Sequence, residues 1–212
     1  MAYRYLLLYK PYNVLSQFTD ERGGADGQRR ATLKDFVDVP NVYAVGRLDR
    51  NSEGLLLLTD DGPMQHRLSH PKFGHRRQYW AQVEQAANSS PLEASLEKLR
   101  RGGIPIRNYH TRPAQVRAIA PPPLSPRNPP IRYRKQIPTT WIELILSEGK
   151  NRQVRRMTAA VGFPSLRLVR SALLLPSSAR RSQTEKPLTL AGLKPGQWRD
   201  LTPEEIRTLP RH

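Results

Sequence analysis

The chain has 212 residues, and its 35 Lys and Arg against 18 Asp and Glu give a formal net charge of +17 and a pI near 10.9. Self-repulsion of this size favours a polyanionic partner, with nucleic acid as the first candidate and an anionic membrane surface as the second. The absence of cysteine excludes disulfides, thiolate metal sites and cysteine nucleophiles. No apolar run approaches the roughly 20 residues that cross a bilayer, and the N-terminus shows no signal peptide, so we expect a cytoplasmic protein.

Short strands and one buried strand dominate the first part of the chain. Alternation at residues 3–9 predicts a strand, residues 19–31 a polar loop, and residues 42–45 a second short strand. Thr32 and Asp35 form a capping-box pattern at the start of a short helix. In the stretch GRLDRNSEGLLLLTDDG (46–62), four consecutive leucines between turn signals predict a fully buried strand.

Asp49 precedes this buried strand and lies between Arg47 and Arg50. A loop anchored by a core strand is a common place for functional groups. The alternative is that Asp49, like Asp60, is an ordinary turn or cap residue.

The rest of the chain predicts further strands with few helices between them. We expect helical turns at 64–68 and a strand at 79–84. A helix should follow with Ser90 as N-cap, Pro91 in its first position and Gly102-Gly103 at its end. Short strands at 104–119, an extended loop with seven prolines at 120–138 and a strand at 141–146 come next. They precede a helix after Gly149, strands at 166–175, a basic surface loop at 176–187 and a last helix capped at Thr202.

Strands thus outnumber helices and do not alternate with them regularly. The sequence therefore predicts the α+β class with a mainly antiparallel, mixed sheet, in a single domain spanning residues 1–212.

Positive charge is concentrated in two segments. Residues 100–135 contain nine Lys or Arg and no acid, and residues 150–186 contain nine with one acid. In the helix after Gly149, apolar residues at 154, 157 and 161 should face the core, while Arg152, Arg155 and Arg156 should share the opposite side, near amides that attract anions. Two alternatives stay open: these are solvated basic segments, or one arginine pairs with an acid such as Asp49 or Glu53.

Other kinds of site are poorly supported by the sequence. His66 and His70 have i, i+4 spacing but no third ligand at a recognisable distance in sequence, so we expect no metal site. No serine lies in a Gly-x-Ser-x-Gly context, and the paired glycines fit neither a phosphate loop nor a dinucleotide fingerprint.

The motifs taken together resemble one family. In order, they are KPYNVLSQ (10–17), VGRLDRNSEGLLLLTDDG (45–62), RRQYWAQV (76–83), EGKNRQVRRM (148–157), VGFPSLRLVR (161–170) and LKPGQW (193–198). They resemble the RNA pseudouridine synthases of the RsuA-type branch. The loop PRNPPIRYRKQIPTTW (126–141) and a start without room for an N-terminal S4 module are similar to the large-subunit subgroup designated E.

The resemblance implies a fold, a reaction and a set of site residues. It implies a bent, mainly antiparallel sheet with flanking helices and a central cleft, and isomerisation of uridine in 23S ribosomal RNA by a monomer without cofactor or metal. Asp49 matches the family's catalytic aspartate, Tyr79 its active-site tyrosine and Arg155 its active-site basic residue. Arg47 would fill the space left by a flipped-out uridine. The implied RNA-binding residues are Arg50, Lys150, Arg152, Arg156 and Arg170.

Two positions depart from the family pattern, and two other functions remain open. Arg77 stands where the family often has Lys, and Asn51 where it often has Asp, so Asn51 is given no catalytic role. The alternatives are a non-catalytic protein of ribosome assembly that binds rRNA, and the same chemistry on another RNA.

Overall fold

The computed structural model describes residues 3–21, 23–24, 27–70, 73, 75–85, 90–131, 134, 137–175 and 186–210. Its contacts divide the chain into two compact units, one formed by Met1–His75 with Ser171–His212 and the other by Arg76–Arg170. The single domain predicted for residues 1–212 stays a prediction. Most of the predicted loop at 176–187 lies outside the described residues, although its last two residues belong to a strand.

The first unit is built on the strand with the four leucines. Its strands are β1 (Tyr5–Lys10), β2 (Tyr43–Ala44), β3 (Glu53–Thr59), β10 (Lys186–Thr189) and β11 (Trp198–Asp200). Strand β1 pairs antiparallel with both β3 and β11, and β2 also pairs with β3. Its helices are a 3₁₀ turn (Leu33–Asp35), α1 (Gly62–Ser69) and α4 (Pro203–Thr208).

Burial explains why β3 forms where it does. All seven of its residues are buried, and Leu56 and Leu58 lie in one apolar cluster with Leu6 and Leu8 of β1. Because this cluster holds β3 in place, it also fixes the end of the loop that contains Asp49.

The second unit is a smaller antiparallel arrangement with two helices. Its strands are β4 (Arg76–Glu84), β5 (Pro105–Ile106), β6 (Tyr109–His110), β7 (Gln115–Ile119) and β8 (Thr139–Leu146). Strand β8 pairs with β4 over eight residues on one side and with β7 on the other. The helices are α2 (Leu92–Arg101) and α3 (Gln153–Ala160). Strand β9 (Ser165–Leu175) passes from this unit into the first, because the boundary falls between residues 170 and 171.

The structure confirms the predicted α+β class with a mainly antiparallel, mixed sheet. Within the described ranges, no helix is long and apolar enough to cross a membrane. One predicted helix start is wrong. Pro91, with φ −50° and ψ 145°, is itself the N-cap of α2, so Ser90 does not cap this helix.

The helix predicted after Gly149 forms as α3, which begins at Gln153. Arg152 precedes it in a left-handed conformation with φ 52°. The predicted row of three arginines on one helix face is therefore not formed, because only Arg155 and Arg156 lie on α3. The predicted apolar face is confirmed, since the side chains at 154, 157 and 161 are buried.

Candidate functional site

Asp49 lies in the loop between β2 and β3, and a serine distant in sequence holds this loop in place. The Ser16 hydroxyl donates to the carbonyl oxygen of Leu48 at 2.8 Å and accepts from the Leu48 amide at 3.1 Å. Beyond Asp49, its own carbonyl oxygen accepts from the Ser52 amide at 3.0 Å. Ser16, Leu48 and Ser52 are buried, whereas Asp49 is half-buried. The backbone at Asp49 is thus fixed on both sides, although the residue itself is only half-buried.

The two arginines beside Asp49 are exposed. Arg47 makes a long contact of 3.4 Å from Nη2 to the side-chain oxygen of Gln17. Arg50 lines a cavity of about 450 Å³ together with residues of the loop at 13–31. Both guanidinium groups can therefore meet a ligand that approaches the Asp49 loop.

Tyr79 belongs to the second unit and is held at both ends of its side chain. Its ring packs against the apolar core of that unit. Its hydroxyl interacts with the guanidinium of Arg170. Burial lowers the pKa of Arg170, and nearby Arg77 lowers it further, whereas the interaction with Tyr79 opposes both effects. The pair fixes the direction of the Tyr79 hydroxyl.

Arg170 therefore does not fit the role that the sequence suggested for it. It was predicted to bind RNA, but it is only 2% exposed. A buried guanidinium cannot meet a backbone phosphate at the surface, and its observed contact is with Tyr79. The structure thus places Arg170 away from the surface, beside Tyr79.

Arg155 connects helix α3 to strand β9. Its Nη1 donates to the carbonyl oxygen of Ser165 at 3.0 Å, and the side chain is half-buried. This bond restricts where the guanidinium can point, as an active-site cation requires.

Glu148 is the centre of a hydrogen-bond network that sequence reasoning missed. This buried carboxylate accepts from the Tyr109 hydroxyl, from the Gln153 side-chain amide, and from the Arg112 backbone amide at 3.0 Å. The bond to Glu148 raises the pKa of Tyr109, so the phenol stays protonated and donates. The network ties β6 and the chain beyond it to the start of α3. In the sequence, the only sign of this network is Glu148 itself, the acidic residue that begins the motif EGKNRQVRRM.

The same network orders the turn before α3. The Gln153 side-chain oxygen accepts from the Lys150 amide at 2.9 Å. The Lys150 ammonium lies 4.5 Å from the centre of the Tyr109 ring, within the range of a cation–π interaction. Lys150 and Arg152 are exposed, and Arg156 donates to the Asn151 side chain at 2.8 Å. These three predicted RNA-binding residues are therefore grouped on one short segment.

The predicted site residues fall into two groups by unit. Asp49, Arg47 and Arg50 belong to the first unit, and the second contains Tyr79, Lys150, Arg152, Arg155, Arg156 and Arg170. His66 and His70 lie on and just after α1 with their ring centres 5.3 Å apart. Across the described residues, no three His, Cys, Asp or Glu side chains are grouped so that they could hold a metal ion.

The sequence profile of RNA pseudouridylate synthases matches residues 4–160. The chain belongs to this family and is an RNA pseudouridine synthase, an isomerase. This confirms the resemblance seen in the sequence motifs.

Individual relatives are similar to the chain over most of its length. The chain is 48% identical to ribosomal large subunit pseudouridine synthase E of Vibrio vulnificus, over 95% of this chain and 77% of the relative. It is also 48% identical to the enzyme of the same name from Xanthomonas campestris, over 92% and 93%. Ribosomal large subunit pseudouridine synthase B of Bacillus subtilis is 35% identical over 97% and 70%. A crystal structure of a pseudouridylate synthase superposes with a TM-score of 0.70 at 26% identity, over 98% of this chain and 74% of that one.

Proposed function

We propose that the chain converts a specific uridine of large-subunit (23S) ribosomal RNA to pseudouridine, with Asp49 as the catalytic carboxylate. The observation behind this assignment is the fixed backbone of Asp49, a half-buried residue of the GRLD motif that lies between two exposed arginines. The substrate is supported by relatives at 48% identity whose names specify the large ribosomal subunit.

The reaction is an isomerisation in which nothing is oxidised or hydrolysed. The C1′–N1 glycosidic bond breaks, the uracil turns, and a C1′–C5 bond forms. C5 then loses its proton while N1 gains one, so the atoms of substrate and product balance. The ionised Asp49 carboxylate acts as nucleophile or stabilises the positive charge that develops at C1′.

The other predicted site residues take supporting roles in this scheme. Tyr79 packs against the uracil ring and assists removal of the C5 proton, with its hydroxyl directed by Arg170. Arg155 supplies a cation whose position is limited by its bond to Ser165. Arg47, exposed beside Asp49, fills the space that the flipped-out uridine leaves.

Lys150, Arg152 and Arg156 are proposed to contact the RNA backbone near the start of α3, and Arg50 near Asp49. Charge-assisted bonds from such side chains to phosphates position a nucleic acid without reading its sequence. We further propose a monomer that acts in the cytoplasm without cofactor or metal.

The assignment of Asp49 is tested by Asp49→Asn, an almost isosteric change that removes the charge. We expect turnover on large-subunit rRNA transcripts to fall by on the order of 10⁴-fold, with RNA binding retained. Asp38→Asn is the matched control, because Asp38 is an exposed aspartate of the same unit outside the proposed site. Wild-type turnover by Asp49→Asn would refute the proposed mechanism.

The substrate is tested by mapping pseudouridines in ribosomal RNA from cells with and without the gene. We expect one position in the large-subunit RNA to lose its modification and to regain it with the wild-type gene but not with Asp49→Asn. A position lost from small-subunit or transfer RNA would instead assign another substrate.

A further inference from the structure

A polar cavity in the first unit includes Arg50 in its lining, and its other lining residues have no role in the function proposed above. It measures about 450 Å³ and is lined by Asn13, Gly24, Gln28, Arg29, Arg30, Ala31 and Arg50. Pockets for small ligands commonly enclose about 300–1,000 Å³, so this cavity has room for more than a single phosphate ion.

The lining indicates which chemical class of ligand fits. Among the described residues that line the cavity, only Ala31 has an apolar side chain, whereas ligand pockets are usually lined mainly by apolar groups. Three guanidinium groups offer donors for an anion, and the amides of Asn13 and Gln28 offer both donors and acceptors. An anionic group joined to a flat polar ring, as in a nucleotide, matches this combination.

Two of the three arginines are held in place by carboxylates. Arg30 bonds Asp20 through Nε at 3.1 Å and through Nη2, and its backbone amide bonds the same carboxylate at 2.7 Å. Arg29 donates from Nη2 to Asp35 at 2.7 Å. These pairs orient the guanidinium groups before a ligand arrives, which reduces the entropy lost on binding.

Arg50 is the third arginine, and it differs from the other two. It is exposed, and no described residue is seen to accept a hydrogen bond from it. Its charge is therefore the one most available to a phosphate at the cavity. Because Arg50 follows Asp49 directly in the chain, the cavity is lined by a residue of the loop that contains the proposed catalytic aspartate.

We infer that this cavity binds one nucleotide of the RNA substrate adjacent to the target uridine, with Arg50 on its phosphate and Asn13 and Gln28 on its base. The inference rests on the proposed function, because the RNA is taken to be held at Asp49. It adds a subsite that reads one flanking nucleotide.

The phosphate contact is tested by Arg50→Ala, with KM, kcat and the dissociation constant measured on one large-subunit rRNA transcript at several salt concentrations. We expect KM and the dissociation constant to rise about tenfold, with a smaller change in kcat. The slope of log affinity against log salt should fall by about one. The control is Arg207→Ala, which removes an exposed arginine of the same unit outside the cavity. Equal effects of the two variants would attribute the loss to the general positive field and would overturn the inference.

The position of the nucleotide is tested by a photo-crosslinking side chain at position 28, introduced into the full-length chain and irradiated with the same transcript. We expect crosslinks within one or two nucleotides of the mapped pseudouridine. Crosslinks elsewhere in the RNA, or none, would overturn the inference. Failure of the wild-type chain to form pseudouridine would count against the proposed function, whereas pseudouridine formation with crosslinks far from the modified position would count against the cavity alone.

Discussion

The Tyr79 hydroxyl interacts with the guanidinium of Arg170, and Arg170 is only 2% exposed. Lysine at position 170 would keep the charge but lose the planar fork that directs this interaction. We expect Arg170→Lys to lower kcat by roughly 10–100-fold, about 1–3 kcal/mol, with little change in KM.

A double-mutant cycle checks that the effect passes through Tyr79. The kcat is measured for Arg170→Lys, Tyr79→Phe and the double variant, and each ratio to wild type is converted to a change in activation free energy. We expect an interaction energy of about 0.5–3 kcal/mol between the two sites. Additive single effects would show that Arg170 does not act through Tyr79.

Glu148→Gln should weaken the network that orders the start of α3. The change removes the charge from a buried acceptor of three hydrogen bonds, so we expect a loss of about 1–3 kcal/mol in urea unfolding. Glu93→Gln is the control, because the Glu93 side chain is 74% exposed and its pair with Arg100 should contribute less than about 1 kcal/mol. A cost no larger than that of the control would contradict a structural role for Glu148.

Ser16→Ala should loosen the loop that presents Asp49. Both polar groups of Leu48 would lose their serine partner in a buried place, so we expect about 1–2 kcal/mol of destabilisation and a larger fall in kcat than rise in KM. Ser69→Ala removes an exposed hydroxyl bonded to a helix carbonyl and should change neither quantity measurably. Unchanged kcat in Ser16→Ala would show that the serine does not position the catalytic loop.

The pair of Asp20 and Arg30 should make stability depend on acid pH. The hydrogen bond from Arg30 lowers the pKa of Asp20 to about 2, below its value in the unfolded chain. The contribution of this carboxylate is therefore complete above about pH 4 and is lost as the pH falls towards 2. We expect the difference in urea midpoint between wild type and Asp20→Asn to shrink between pH 5 and pH 3. A constant difference over this range would contradict the assignment.

Some elements could be predicted because the residues that determine them lie within the element itself. Four consecutive leucines between turn signals predict a buried strand whatever surrounds them, and each leucine of β3 is fully buried. The Thr202 and Glu205 side chains form the capping box expected at the start of α4. Asp61, in the turn that follows the four leucines, accepts from the Met64 amide at 3.0 Å and so caps α1.

Other features could not be predicted, because their cause lies outside the segment. A proline ring fixes φ near a value common to helices and extended chains, so the sequence could not decide whether Pro91 begins α2 or precedes it. The left-handed Arg152 is a conformation that few residues other than glycine adopt, and nothing local signals it. The interactions between Tyr79 and Arg170, and between Tyr109 and Glu148, join different elements and depend on how those elements pack.

The pairing of β1 with β11 has a consequence for synthesis on the ribosome. Leu6 lies opposite Asp200, and the Arg4 guanidinium bonds the same aspartate, 196 residues away in the chain. At translation rates of about 5–20 residues per second, β1 waits on the order of 10–40 s for that neighbour to emerge. During this interval one edge of an almost wholly apolar strand lacks its native partner, which is a recognised template for aggregation. Nascent chains that stall before β11 should therefore depend more on chaperones than chains that have been released.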